Sequence, residues 1–145
     1  VKESKVDEWI EFMKTQGIKR INCLLSEDDL EEYYNRELLS KYKEEFQEQN
    51  VLWTPIPDFH FVDKDTLENE IIPFLEESDK REDPVVVHCS GGSGRTGHVL
   101  ALWLNHGRGY DPEEALKTVR NMGRNPEEAS MNESKEKLYS LFEEQ

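Results

Sequence analysis

A cysteine and an arginine lie close together in a glycine-rich segment of the chain, VVVHCSGGSGRTG at residues 85–97. Cys89 follows a run of β-branched residues, and Arg95 comes after five intervening residues, of which three are glycine. Glycine accepts positive φ angles and brings no side chain, so this loop can curl with its backbone N–H groups pointing inward. The helix expected after Arg95 would direct its positive N-terminus to the same point. The segment therefore predicts an anion-binding loop.

The same loop can make Cys89 a nucleophile. The helix N-terminus, the amide dipoles and the guanidinium of Arg95 all favour the thiolate over the thiol. Arg95 can also hold two oxygens of a phosphate with its planar fork, which a lysine cannot do. The second cysteine, Cys23, lies in a predicted strand, and we interpret it as an ordinary buried residue.

Two nucleotide-binding motifs resemble this segment only in part. Glycines 92, 94 and 97 fit the dinucleotide fingerprint, which also requires an acidic residue about 20 positions later at the end of a second strand. The acids found near that distance begin at Asp111, where the pattern predicts the start of a helix. A Walker A loop requires Gly-Lys followed by Ser or Thr, and the chain contains no such sequence.

Hydrophobic periodicity places this loop within an alternation of strands and helices. Strands are predicted at residues 18–25, 51–54 and 85–87. Apolar residues at helical spacing predict helices between and after these strands, the last of them around Leu138. We also predict a break in the helix near Asn35, a helix cap at Asp65 and a kink at Pro73. The alternation predicts an α/β fold: a central, mostly parallel, twisted sheet with helices on both faces and the loop between the last central strand and a helix. Ligands of such sheets bind beyond the carboxyl ends of the strands, where Cys89 lies.

The composition excludes several classes of partner. The 145 residues suit one domain, residues 1–145. Acidic residues number 32 against 18 basic ones, for a net charge of −14, so we expect neither nucleic acid nor a membrane as a partner. The longest apolar segment, near residues 99–104, is too short to cross a bilayer. The two cysteines have no metal-binding or disulfide spacing, so we expect a reducing, cytoplasmic location.

The segment His88–Gly97 resembles the H-C-x5-R-[ST]-G signature of the protein tyrosine and dual-specificity phosphatases. Chain length and element order are similar to the small dual-specificity branch, including its archaeal and bacterial members, over nearly the whole chain. The resemblance implies a cysteinyl-phosphate intermediate formed by Cys89, with no metal and no cofactor. It also implies that His88 orders the loop and that Thr96 hydrogen-bonds the sulfur and helps it leave. The implied phosphate-binding residues are Ser90, Gly91, Gly92, Ser93, Gly94 and Arg95.

The chemistry also requires an acid, because the departing oxygen needs a proton and the attacking water later needs a base. The family places an aspartate about 30 residues before the cysteine, often after P-x-P. Here Pro55-Ile56-Pro57 is followed by Asp58, 31 residues before Cys89, so the resemblance favours Asp58 as the acid. Small family members often continue with glycine, whereas this chain continues with Phe59, and Asp63 is the reserve candidate.

The family also tends to carry an amide that positions the hydrolytic water. Asn125 and Asn132 are available, neither in a clear match, and we select Asn132 because Asn125 can cap a helix before Pro126. Together these residues predict a monomeric phosphatase of phosphorylated proteins or peptides, acting on phosphotyrosine, with phosphoserine and phosphothreonine as further candidate substrates. Two alternatives stay open: a catalytically idle phosphate-binding module, and a phosphatase of non-protein phosphates, which the absence of lysine in the loop disfavours.

Overall fold

The fold is built on a parallel sheet, seen in a computed structural model that describes residues 1–34, 37–91, 94–130 and 132–143. The strands are β1 (Arg20–Cys23), β2 (Val51–Trp53) and β3 (Val85–His88), in the order β2-β1-β3. Ile21 of β1 pairs with Val51 on one side and with Val86 on the other. The predicted parallel α/β sheet is therefore confirmed.

Strand β3 lies at an edge of this sheet rather than in its centre. We expected the loop to follow a central strand, but among the described residues β1 is the strand with a neighbour on each side. The three valines of β3 are typical of a strand covered on both faces, yet they are only half-buried. Because all three strands are parallel, their carboxyl ends still meet at one edge, so the chain after β3 lies close to the chain after β1 and β2.

One face of the sheet is covered by the first three helices of the chain. These are α1 (Glu3–Thr15), α2 (Glu27–Tyr34) and α3 (Leu38–Phe46). Buried residues of α1 recur at helical spacing and pack in one cluster with Ile21 and Cys23 of β1. A break was predicted near Asn35: α2 ends and α3 begins on either side of it, while Asn35 itself lies outside the described residues.

The other face is covered by the later helices. These are α4 (Lys64–Thr66), α5 (Ile72–Arg81), α6 (Gly94–Arg108), α7 (Pro112–Asn121) and α8 (Lys135–Leu141). Their apolar residues form the larger core cluster, which Leu24 joins from the chain just after β1. The successive residues Cys23 and Leu24 thus pack on opposite faces of the sheet, as the pleat of a strand requires.

The helical segment around Pro73 differs in detail from the prediction. Asp63, and not Asp65, is the N-cap, because Asp63 has extended backbone angles and its Oδ2 accepts a hydrogen bond from the Thr66 N–H at 3.2 Å. A π-helical turn, Leu67–Ile71, precedes Pro73. Proline has no N–H and its ring clashes with the carbonyl four residues earlier, so a wider turn here relieves both problems.

Helix α6 carries the residues that follow the predicted anion-binding loop, and most of its first two turns is buried. It packs on α7 and on the 3-10 turn Pro126–Ser130. The packing is close, since a Cβ on Gly97 would lie 3.0 Å from the Cβ of Arg124. The first turns of α6 are therefore buried on several sides, which fixes the direction in which their side chains leave the helix.

Candidate active site

Cys89 lies at the start of the loop between β3 and α6, with its side chain nearly buried. The Thr96 hydroxyl, fully buried on the first turn of α6, donates a hydrogen bond to the Cys89 sulfur at 3.0 Å. The sulfur also lies 3.4 Å from the Ser90 carbonyl oxygen. This second distance is compatible with a weak hydrogen bond from the thiol to the carbonyl.

The loop itself is described only at its two ends. Ser90 and Gly91 are exposed, and Gly91 has a φ of 79°, a left-handed conformation that favours glycine. A Cβ on Gly94 would lie 2.9 Å from the Cβ of Glu128, so this position has no room for a side chain. Gly92 and Ser93, predicted to bind phosphate, lie outside the described residues.

Arg95 is 2% exposed, and one of its terminal nitrogens is fully engaged. Nη1 donates to Asp29 Oδ2 at 2.6 Å and to the Ile56 carbonyl at 2.9 Å. The opposite edge of the guanidinium, formed by Nε and Nη2, is the edge that can offer two parallel donors to a phosphate. These contacts orient the fork, because they hold the Nη1 side on protein groups and leave the edge of Nε and Nη2 as the one with the geometry to bind an anion.

Asp29 is a site residue that the sequence analysis missed. It stands in the first turn of α2, where acids are common because of the helix dipole. Its Oδ2 accepts hydrogen bonds from the backbone N–H and the hydroxyl of Ser26, at 3.0 and 2.9 Å, in a capping-box arrangement. Burial alone would raise the pKa of Asp29, but the hydrogen bonds from Arg95 and Ser26 lower it below its ordinary value. The carboxylate therefore stays ionised beside Arg95.

Asp58 approaches the same arginine from the loop after β2. Its Oδ1 lies 3.6 Å from Arg95 Nε and accepts a hydrogen bond from the Phe59 N–H at 3.0 Å, while its side chain is 58% exposed. Asp63, the reserve candidate, is occupied as the N-cap of α4. Phe59 has a φ of 63°, so this chain places a phenylalanine where the backbone favours glycine. The Phe59 side chain is 41% exposed beside Asp58.

The far end of the Asp58 loop is fixed to helix α6. The Val62 N–H donates to His98 Nε2 at 3.1 Å, and the Phe61 ring stacks on the His98 ring at 4.8 Å between centroids. His98 is fully buried, and this burial lowers its pKa to about 3. The imidazole is thus neutral and accepts one hydrogen bond from the loop that carries Asp58.

Asn132 and its neighbour Glu133 contact the same loop from the C-terminal part of the chain. The Asn132 amide donates to the Phe59 carbonyl at 3.4 Å, and Glu133 lies 3.3 Å from His60 Nδ1. Asn132, predicted to position water, thus lies against the backbone of the Asp58 loop.

His88 lies behind the nucleophile and is half-buried. Its Nδ1 is 3.3 Å from the Cys89 carbonyl oxygen, and its Nε2 is 3.0 Å from the hydroxyl of Tyr42 on α3. Burial lowers the pKa of His88 below its ordinary value. A cavity of about 520 Å³ opens beside this group, and its wall includes Trp9, Tyr34, Tyr42, His88, Cys89 and Gly91.

The described residues offer neither a cluster of metal ligands nor a membrane span. Across the four described ranges, no three His, Cys, Asp or Glu side chains are grouped closely enough to hold a metal ion. Within the same ranges, no helix has the length and apolar character needed to span a bilayer.

Comparison with known proteins gives matches to phosphatases. Residues 2–108 match the family model described as Tc-R-P: polymorphic toxin system, DSP-PTPase phosphatase. The tyrosine-protein phosphatase cdc-14 of Caenorhabditis elegans is 34% identical over 64 residues, 43% of this chain and 9% of that protein. The dual specificity protein phosphatase OPG106 of vaccinia virus (strain Western Reserve) is 31% identical over 55 residues, 38% of this chain and 32% of that protein. Each match thus spans a third or less of the curated relative.

Among solved structures, the chain is similar to the crystal structure of Tk-PTP in the active form. The TM-score is 0.68 and the identity 26%, over 97% of this chain and 82% of that one.

Proposed function

Because this chain belongs to the DSP-PTPase phosphatases of polymorphic toxin systems, we propose that it hydrolyses phosphate monoesters on proteins or peptides, with phosphotyrosine as the preferred substrate. Cys89 is the nucleophile, Arg95 binds the phosphate, Asp58 is the acid and base, and no metal or cofactor takes part. One observation carries the proposal: the ends of parallel strands bring a thiol, a guanidinium and an exposed carboxylate to one edge of the sheet.

In the first step the Cys89 thiolate attacks phosphorus, so that an S–P bond forms while the P–O bond to the substrate breaks. The electron pair goes to the leaving oxygen, which takes the proton of Asp58. Arg95 stabilises the charge on the equatorial oxygens with its Nε and Nη2 edge, because Nη1 is held by Asp29 and Ile56. The N–H groups of residues 90–94 and the N-terminus of α6 would complete the phosphate site.

In the second step water attacks the phosphocysteine and Asp58, now ionised, takes the proton of that water. An O–P bond forms, the S–P bond breaks and the thiolate is released. The Thr96 hydroxyl, 3.0 Å from the sulfur, stabilises the departing thiolate with a hydrogen bond. This contact favours an enzyme over an idle phosphate-binding module, because binding a phosphate does not require a sulfur that leaves.

The preference for phosphotyrosine is supported by Phe59. Its ring is 41% exposed, next to the acid, on a backbone conformation that is costly for phenylalanine. Contact between two aromatic rings contributes about 0.5–1.5 kcal/mol, so binding of an aryl phosphate should be favoured roughly 2- to 10-fold over binding of an alkyl phosphate. Further parts of the proposal depend on composition. A net charge of −14 favours a monomer and disfavours nucleic acid and membranes as partners. The two free thiols are compatible with a reducing, cytoplasmic location.

The test is hydrolysis of matched phosphotyrosine and phosphoserine peptides by the wild type and by Cys89→Ser, with Cys23→Ala as the control. We expect Cys89→Ser to abolish turnover and Cys23→Ala to retain it, with phosphotyrosine cleaved faster by the active proteins. Acid-quenched wild type should carry one phosphate on the peptide that contains Cys89. Turnover by Cys89→Ser would end the proposal, and phosphate binding without turnover by the wild type would establish the idle module.

A further inference from the structure

The turn that carries Asp58 is closed by a backbone hydrogen bond. The His60 N–H donates to the Pro57 carbonyl oxygen at 3.2 Å, so Asp58 and Phe59 are the two central residues of a four-residue turn. Phe59 occupies the third position of this turn with a φ of 63°, where a turn of this kind favours glycine. Because phenylalanine is unfavourable in this conformation, the turn depends on contacts with the rest of the protein.

The protein holds this turn at both of its ends. Before the turn, Arg95 Nη1 donates a hydrogen bond to the Ile56 carbonyl oxygen at 2.9 Å. At its last residue, the His60 Nδ1 atom lies 3.3 Å from Oε1 of Glu133, which belongs to the C-terminal part of the chain. The arginine therefore restrains the first half of the turn, and the glutamate restrains the second half.

The Glu133 side chain is itself fixed in place. It is 13% exposed, and its Oε2 pairs with Lys137 Nζ at 2.9 Å, so that its two oxygens contact different partners. Glu133 directly precedes Ser134, the N-cap of α8, whose side chain accepts a hydrogen bond from the Lys137 N–H. The hydrogen bond from the Lys137 side chain lowers the pKa of Glu133 below its ordinary value, so the carboxylate is ionised near neutral pH.

The bond between His60 and Glu133 has one possible direction. An ionised carboxylate only accepts, so His60 Nδ1 carries the proton and donates it. Hydrogen bonds to a charged group are stronger than bonds between neutral groups. The neighbouring Asn132 amide adds a second contact, because it donates to the Phe59 carbonyl oxygen at 3.4 Å. Two consecutive residues thus bind the half of the turn that has the unfavourable backbone conformation.

We propose that Glu133 is a positioning residue for the acid: by binding His60 it stabilises the turn and holds the Asp58 carboxylate beside Arg95. The proposal rests on the proposed function, in which Asp58 donates the proton. Asp58 Oδ1 lies 3.6 Å from Arg95 Nε, so a rotation of the turn would move the acid away from the phosphate site. Glu133 acts only through this turn, so its effect on turnover depends on Asp58 being able to donate a proton.

The test is kcat/KM for a phosphotyrosine peptide and for a set of aryl phosphates whose leaving phenols are progressively more acidic. We expect Glu133→Ala to lower kcat/KM for the peptide roughly 10-fold, because the acid is displaced from the leaving oxygen. The loss should shrink as the leaving phenol becomes more acidic and needs less protonation. Glu133→Gln keeps an acceptor for His60 and should retain most of the activity. Glu136→Ala removes an exposed acid from α8 and is the matched control, with the kinetics of the wild type.

A double-variant cycle separates positioning of the acid from a merely structural role. An asparagine at position 58 has no proton to give to the leaving oxygen, so adding Glu133→Ala to Asp58→Asn should lower kcat/KM no further. A further loss in the double variant, or an equal loss for every leaving phenol, would mean that Glu133 supports the fold or the phosphate site, and would overturn the proposal. Unchanged kinetics in folded Glu133→Ala would overturn it as well.

Amide hydrogen exchange tests the same contact without turnover. The His60 N–H, which closes the turn, should exchange faster in Glu133→Ala than in the wild type, whereas Glu136→Ala should leave its exchange unchanged. An active phosphatase in which Glu133→Ala leaves this exchange unchanged rejects only the positioning role. Turnover by Cys89→Ser, or a wild type without turnover, rejects the proposed function itself.

Discussion

Asp29 and Asp58 both lie on chain that follows a strand, and both carboxylates face Arg95, yet they are held in opposite ways. Asp29 is buried, paired with Arg95 Nη1 at 2.6 Å and hydrogen-bonded twice by Ser26. Asp58 is 58% exposed and lies 3.6 Å from Arg95 Nε. A carboxylate that fixes a cation must be immobile and remain ionised, whereas one that exchanges protons must be reachable by substrate and water.

The backbone around each carboxylate shows the same contrast. Asp29 stands in the first turn of a helix that begins with a capping box: its N–H donates to the Ser26 hydroxyl at 3.2 Å, and its carboxylate accepts from the Ser26 N–H. Asp58 stands in an irregular segment between Pro57 and the left-handed Phe59. This segment contacts α6 on either side of Asp58, through the bond from Arg95 to the Ile56 carbonyl and through Val62 and His98. One acid therefore belongs to the rigid frame, and the other to the part of the site that can adjust.

Replacing the adjustable acid should give the largest effect. We expect Asp58→Asn to lower kcat for a phosphotyrosine peptide by about 10²–10⁴-fold, since the leaving oxygen loses its proton donor. The loss should be much smaller for an aryl phosphate with an acidic leaving group. Steady-state kinetics with both substrates measure this, and Asp63→Asn, which preserves an N-cap, is the control. A larger loss in Asp63→Asn would transfer the acid role to Asp63.

Replacing the rigid acid should affect both activity and stability. Asp29→Asn removes the charge and keeps the shape, so we expect kcat/KM to fall about 10-fold and the free energy of unfolding to fall by about 1–3 kcal/mol. Because the pKa of Asp29 is lowered in the folded protein, its contribution is present above its unfolded pKa of about 3.9 and is lost as pH falls through the folded value. Urea unfolding at neutral and acid pH should show the two proteins converging in acid.

The exposed neighbour Asp28 supplies the matched control for that experiment. Asp28→Asn should leave activity and unfolding unchanged, because its side chain is exposed on the same turn of α2. Equal losses in both variants would mean that the charge of the helix start matters and the contact with Arg95 does not.

The smallest expected effect concerns the hydrogen bond from the Val62 N–H to His98, which joins the Asp58 loop to α6. Burial lowers the pKa of His98 to about 3. The contribution of the neutral His98 to the free energy of unfolding is therefore fully present above its unfolded pKa of about 6.5, and it is lost progressively as the pH falls below that value. We expect the free energy of unfolding to drop by about 2 kcal/mol between pH 6.5 and 5 through this group. His98→Gln retains an acceptor without a titrating group, so its stability should depend less on pH. An equal pH dependence in wild type and variant would assign the drop to other groups.

The closeness of Thr96 to Cys89 could be predicted from sequence because the residues of this loop are local. Cys89, Arg95 and Thr96 lie within eight positions, and strand-then-helix geometry forces them together. Asp29 could not be identified in this way. It is one of three consecutive acids at a helix start, and which of them meets an arginine 66 positions later depends on the rotation of α2 and on packing between distant segments.

One other expectation failed, and one hydrogen-bonding residue was missed, for similar reasons. The three valines of β3 indicate apolar surroundings but do not specify what covers each side, so the edge position of β3 was not predictable from them. Tyr42 has the spacing of a core residue on α3, and its hydroxyl becomes informative only when Trp9 and His88 are seen on either side. Periodicity reports burial, whereas the partners of a buried polar atom depend on tertiary structure.

The bond from Arg95 to the Ile56 carbonyl connects the proposed phosphate-binding residue to the loop of the proposed acid. The same guanidinium that would grip a phosphate holds the backbone two residues before Asp58, at 2.9 Å. The chain that carries Asp58 is therefore anchored to Arg95 two residues before the carboxylate. If Arg95 and Asp58 have the roles proposed above, the residue that binds the phosphate also limits how far the proton donor can move from it.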